Sequence, residues 1–306
     1  MKLRRVSIVI VLIMALPGCA NNRGNTNKIN LSYKNSQEGT SKTDSNRPGG
    51  NKLDKNKNGS RVEAKPFQKV LLKDTRGLRR NTIHWSWAYS PKENAAMLSK
   101  YNAYAFGETS KKVIYLTFDE GYENGYTASI LDTLKENKVK AAFFVTKDYV
   151  TGSFNGKNNS ELVKRMMNEG HIIANHSVHH KSMSSITDET AFNLEFTDNE
   201  IAVNNIDGVK ISKFFRPPMG DFSELSLYYT QKLGYKSIFF SLAYHDFDPK
   251  NQPDSKIAKK GLLKGTKPGM ICLLHAVSKT NTEILGSLIK EWEAQGYKFK
   301  SLNELI

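Results

Sequence analysis

The chain has 306 residues, with 45 Lys and Arg against 30 Asp and Glu, a formal charge of +15. Its two cysteines, Cys19 and Cys272, exclude a disulfide framework. None is needed, because the roughly 200 residues of the C-terminal part can bury a sizeable core. A nucleic-acid partner is not expected, since much of the positive excess lies in a polar N-terminal stretch that reads as exported.

Lys2, Arg4 and Arg5 precede an apolar run from Val6 to Leu16 that is short for a membrane span and suited to a signal-peptide core. It ends in Leu16-Pro17-Gly18-Cys19, which resembles a bacterial lipobox, so residues 1–19 are read as an export signal whose cysteine is acylated. The expected location is the outer face of the cytoplasmic membrane, or the wall if the chain is released. Residues 20–65 collapse to Asn, Lys, Ser, Gly and Thr, a composition that cannot offset its ordering entropy and predicts a disordered basic spacer. Residues 66–111 form a lead-in to the core. Its His84-Trp85-Ser86-Trp87 is read as a clamp on the core in preference to a sugar-stacking surface, and His84 is left without a role.

The core, 112–306, opens with Val113 to Phe118, whose large and β-branched residues predict a buried strand. That strand stops at Asp119, Glu120 and Gly121. A helix is predicted over 127–138 and a strand over 141–145. A helix capped by Ser160 and ended by Gly170 follows, then a strand at Ile172-Ile173. Further elements are a helix over 187–205, a strand at 213–215, a helix over 223–233, a strand at 237–242, a helix over 257–263 and a strand at 270–274. An amphipathic helix carries Ile284, Leu285, Leu288, Ile289 and Trp292, and an extended segment covers 298–302. Strands alternating with helices imply a parallel sheet, and seven or so units favour a (β/α)7-8 barrel over an open sheet. No glycine-rich phosphate loop follows any strand, so no nucleotide cofactor is expected.

Polar residues cluster at successive strand ends, which a barrel gathers at one rim. They are Asn175-His176-Ser177-Val178-His179-His180, Arg216-Pro217-Pro218-Met219-Gly220, His245-Asp246-Phe247 and His275. His176 and His180 with a carboxylate make a three-ligand set that leaves a coordination position open, as catalytic divalent-metal sites do. Asp119 remains free to take a proton, Arg216 can orient it with Asp246 holding Arg216, and His275 can protonate a leaving group. Together these are the parts for metal-assisted hydrolysis of an amide or ester.

TFDEG, HSVHH, RPPMG, the Asp246-Phe247 segment and LLH, in this order, resemble the five motifs of the polysaccharide deacetylase (NodB homology) family, carbohydrate esterase family 4. The resemblance spans about residues 111–306. GYENGY and the HW-containing lead-in are similar to the branch that de-N-acetylates muramic acid on the way to the δ-lactam of spore-cortex peptidoglycan. The resemblance implies a distorted (β/α) barrel with fewer than eight complete units. It also implies Asp119 as general base, Glu120, His176 and His180 as ligands of a divalent metal, zinc first, and Arg216 as orienter of the base. Asp246 would support Arg216, His275 would be the general acid, and the backbone N–H near Met219 would help hold the oxyanion. Three positions depart from the pattern. Glu120 stands for the usual Asp, Ala243 for a frequent acid, and Met219 for a frequent aromatic. The expected partner is the glycan of peptidoglycan, with the membrane reached through the lipid anchor or signal sequence. The alternatives are deacetylation of N-acetylglucosamine, and a wall-binding lipoprotein that has lost turnover. His171, His179 and His245 are expected to be structural or exposed.

Overall fold

A computed structural model describes residues 69–86 and 92–305. They belong to one unit of the chain, residues 63–306. The export signal, Cys19, the 20–65 spacer and Trp87 lie outside the described residues.

Eight strands form one sheet: β1 Ala103–Tyr104, β2 Val113–Glu120, β3 Ala142–Val145, β4 Ile172–Asn175, β5 Phe214–Phe215, β6 Lys236–Ile238, β7 Met270–His275 and β8 Lys298–Phe299. Their order is β7-β2-β3-β4-β5-β6-β1, with β8 also on β2. Every pairing in this sheet is parallel. A parallel bridge from Leu242 to Cys272 joins the chain after β6 to β7 and draws the sheet into a distorted (β/α) barrel. The strand expected over 237–242 is thus split. Phe239 still donates its N–H to Tyr104 O at 2.7 Å, whereas Ser241 donates to Ile271 O at 3.0 Å, so the ladder breaks where the chain changes partner.

β2 explains the placement of the site. Its eight residues are all buried. Side chains alternate across a strand, and the packing obeys this: Val113 and Tyr115 join one apolar cluster with Phe144, Ala174, Ile271 and Leu273. Ile114, Leu116 and Phe118 join a second with the helices Thr127–Glu136 and Lys279–Ala294. In that last helix Leu285, Leu288, Ile289 and Trp292 are fully buried, each adding about 1.5–3 kcal/mol of transfer free energy. Thr117 and Asp119 continue the first row, toward the barrel interior. Glu120 continues the second, toward the helices.

Two local expectations are corrected. The helix assigned to a Ser160 cap starts at Asn159, because the Asn159 N–H is taken by Gly152 O at 3.0 Å and its amide donates to Tyr149 O at 3.0 Å. The extended segment over 298–302 shrinks to β8, and Ser301 then caps a short 3₁₀ turn at Leu302–Glu304.

Beneath the sheet, His171 is 3% exposed and accepts the Ala141 N–H on Nδ1 at 3.1 Å. Burial first, then the charge of Lys140, lowers its pKa from 6.5 to about 4. A lowered folded-state value means this contribution is fully present above pH 6.5 and is lost as pH falls toward about 4. The loss is expected to reach about 3 kcal/mol. Urea midpoints of the wild type and His171→Gln at pH 7 and pH 4.5 check this. The gap between the two proteins should narrow at the lower pH.

Candidate active site

Asp119 and Arg216 stand at the centre. Arg216 follows β5 directly, is 1% exposed, and lies with its guanidinium 4.2 Å from the Phe144 ring centroid. Its NH1 donates to Asp119 Oδ1 at 2.7 Å and its Nε to Ile238 O at 3.0 Å. NH2 donates to Thr117 Oγ1 at 2.9 Å, and Thr117 in turn donates to Cys272 O at 2.7 Å. Burial pushes the Asp119 carboxyl up, but Arg216, His176 and His275 outweigh it and hold the pKa below the usual carboxylate value. Asp119 is therefore an anion aimed at the cavity.

His176 comes next, at the end of β4. Its Nδ1 lies 2.8 Å from Arg216 O, an acceptor only, so Nδ1 carries the proton and Nε2 keeps its lone pair. That Nε2 is 3.5 Å from Asp119 Oδ2. Burial is the main cause that lowers its pKa to about 4, so the ring is neutral at ordinary pH. The His180 ring centroid is 4.8 Å away. The two imidazoles meet through a loop and not on a helix: Ser177 (φ 69°) and His180 (φ 52°) are both left-handed, which folds the chain back. Asn175 holds this turn, accepting the Ser177 N–H at 2.8 Å on its side-chain oxygen.

His275 ends β7 on the inward row. Its Nδ1 is 2.7 Å from Asp246 Oδ1, and its backbone N–H donates to Asp246 Oδ2 at 2.8 Å. Asn281 also donates to that oxygen, at 2.6 Å. Burial pulls His275 down, but the Asp246 charge and hydrogen bond exceed it and raise the pKa, which leaves Nε2 able to carry a proton. Here the expected role of Asp246 is corrected. It orients His275, while Arg216 is held by Asp119, Thr117 and two backbone carbonyls.

These groups face a cavity of about 560 Å³. Tyr122, Met219, Tyr244, Phe247 and Trp85 complete its wall. Met219 is 57% exposed and Phe247 45%, so apolar surface rims the mouth. Of the remaining histidines, His179 pairs with Glu195 and His245 is exposed, as expected. His84 gains a partner, Asp221.

Glu120 is not brought to this cavity. It is fully buried, and both of its carboxylate oxygens lack a hydrogen-bond partner. Burial, with the charges of Glu123 and Asp119, raises its pKa well above the ordinary value. Among the described residues no group of three or more His, Cys, Asp or Glu side chains is gathered as for a metal ion. The donor chemistry that fits a divalent metal is the neutral Nε2 of His176 with His180 beside it, and Asp119 Oδ2 lies 3.5 Å from the first.

Asn175 and Thr117 lie within the motifs read from the sequence but, like Asn281, were given no role there, although Thr117 shares the inward row of Asp119. Nor was Tyr244, whose hydroxyl donates to Asn281 at 2.5 Å.

A polysaccharide deacetylase family model matches residues 106–238. The peptidoglycan-N-acetylmuramic acid deacetylase PdaA of Bacillus subtilis is 43% identical over 216 residues, 70% of this chain and 79% of that protein. Its solved structure, a family 4 carbohydrate esterase, superposes with a TM-score of 0.69 at 39% identity, covering 74% of this chain and 97% of that one. A peptidoglycan-N-acetylglucosamine deacetylase of Bacillus cereus is 31% identical over 209 residues, 64% of this chain and 89% of that protein.

Proposed function

Because this chain belongs to the polysaccharide deacetylase family and is a hydrolytic de-N-acetylase, we propose that its substrate is N-acetylmuramic acid of peptidoglycan whose stem peptide has been removed. The freed amine would then close onto the lactyl carboxyl to give the δ-lactam of spore cortex. The observation that carries the reading is the pairing of Asp119 with His275 in one cavity, the first held by the buried Arg216 and the second by the buried Asp246. Similarity to the Bacillus subtilis enzyme supports the muramic-acid choice.

The reaction is a hydrolysis. Water adds its oxygen to the acetamide carbonyl carbon as Asp119 accepts its proton, and Arg216 keeps Asp119 ionised and in place. The C–N bond then breaks, His275 gives its proton to the departing nitrogen, and acetate and a free amine result. The backbone beside Met219, in a left-handed turn at φ 59°, is the candidate donor for the oxyanion. A divalent metal, zinc first, would be held by His176 and His180 and would supply Lewis-acid polarisation of the carbonyl. His176→Ala is expected to lose bound metal by elemental analysis, and undiminished metal content would remove His176 from the ligand set.

Peptidoglycan as substrate places the protein outside the cytoplasm, in the wall or tethered to the membrane face through Cys19. No helix among the described residues is long and apolar enough to cross a membrane. The deciding experiment is mass spectrometry of muropeptides after incubation with the full chain and zinc. One peptidoglycan sample is pretreated with a muramoyl-L-alanine amidase and the other is not. Loss of acetyl and a further water on muramic acid, only after pretreatment, is the expected result. Acetyl loss from glucosamine would move the substrate to the other sugar, and an unchanged mass in both samples would make the chain a wall-binding lipoprotein.

A further inference from the structure

The family match begins at residue 106, yet one wall of the cavity comes from the lead-in before it. Ile83–His84 pairs antiparallel with Asp221–Phe222. His84 Nδ1 lies 2.5 Å from Asp221 Oδ1, and Ser182 donates to the other oxygen at 2.7 Å. This fastening presents Trp85, which is 8% exposed and faces the cavity.

Trp85 grips both the turn that follows Arg216 and the segment whose carbonyls receive its guanidinium. Its backbone N–H donates to Gly220 O at 3.0 Å, at the end of the turn that follows Arg216. Its indole N–H donates to Phe240 O at 2.7 Å, beside the Ile238 and Phe239 carbonyls that receive the guanidinium. The ring lies 5.1 Å from that of Phe239. The turn itself is under constraint, with Met219 at φ 59° and Gly220 at φ 70°. A Cβ on Gly220 would sit 2.9 Å from Trp85 O, so turn and lead-in touch backbone to backbone.

We propose that Trp85 is a positioning residue for the deacetylation, the point at which the lead-in locks the Pro217–Gly220 turn and closes the cavity wall. The proposal rests on the function given above, because it concerns how that site is held. A plain clamp would stabilise the fold without setting the turn. A positioning residue sets the turn, and a displacement of about 1 Å at such a place costs about 10²-fold in rate.

The test uses the full chain and three variants. Trp85→Ala keeps the backbone bond to Gly220 but removes the ring and the indole donor, Trp85→Phe keeps a ring but not the indole donor, and Gln231→Leu breaks a lead-in contact to Val70 remote from the cavity. Hydrogen exchange over residues 217–222 and kcat and KM on acetylated glycan are read for each. Trp85→Ala should lose protection over 217–222 and about 10²-fold in kcat/KM. Trp85→Phe should recover part of both, and Gln231→Leu should lower the melting temperature while leaving both unchanged. Retained protection over 217–222 in Trp85→Ala would overturn the proposal, as would an equal kinetic loss in Gln231→Leu. If the wild type itself leaves acetylated glycan intact, the functional reading fails, and hydrogen exchange alone still decides whether Trp85 holds the turn.

Discussion

Asp119→Asn is expected to cut turnover by about 10²- to 10⁴-fold, the range that a positioned general base contributes. The amide keeps an oxygen for the Arg216 N–H that now lies 2.7 Å away, so the cavity retains its shape. What it loses is the lone pair that takes a proton from water. Arg216 also loses its counter-charge at a site only 1% exposed, which lowers the melting temperature as well. Rates should therefore be compared well below the melting transition of the variant. A wild-type rate in Asp119→Asn under those conditions would take the general-base role away from this residue.

Arg216→Leu should be costlier to the fold. Four hydrogen bonds go at once, to Asp119, Thr117, Ile238 and Phe239, and Asp119 is left buried without its cation. Breaking a buried pair from one side destabilises by about 3–5 kcal/mol. Arg216→Lys separates charge from geometry, since a single ammonium cannot reach all four acceptors. It should regain much of the stability and little of the rate. The pH profile gives a further sign. Arg216 favours the ionised form of Asp119, so its removal raises the Asp119 pKa and moves the acid limb of kcat toward higher pH. An acid limb that stays in place in Arg216→Leu would show that Arg216 does not tune the base.

Much of this was legible along the chain because each active group ends a strand. The run from Val113 to Phe118 announces β2, and a barrel of parallel strands must collect Asp119, His176, Arg216 and His275 at one end. The division of labour was less legible, for it depends on which face each side chain takes. Asp119 and Glu120 are neighbours in sequence, and the two-residue period of the strand sends them to opposite faces. The role of Asp246 could not be read from order alone. It lies in a loop, and only the closure of Leu242 onto Cys272 carries that loop over His275. The His176–His180 spacing suits one face of a helix, yet two left-handed residues build the same proximity in a loop. Trp85 was read as part of a clamp, and no periodicity reveals that its bonds fall on Gly220, in the turn after Arg216, and on Phe240.

The pairing of β8 and β3 along one edge of β2 bears on how the chain assembles. Val113 and Ile114 pair with Lys298 and Phe299, while Thr117 to Glu120 pair with Ala142 to Val145. The opposite edge is filled by β7, and Thr117 reaches Cys272 across 155 positions. The strand that bears the base is thus flanked by segments far apart in sequence, Ala142–Val145 on one hand and Met270–His275 and Lys298–Phe299 on the other. Such distant pairings pay their loop entropy before any contact rewards it, which makes barrel formation slow. The β2–β3 pair joins segments near in sequence and can form before the more distant pairings with β7 and β8 complete the catalytic strand. The deacetylase activity therefore waits on the pairings along β2 that form last.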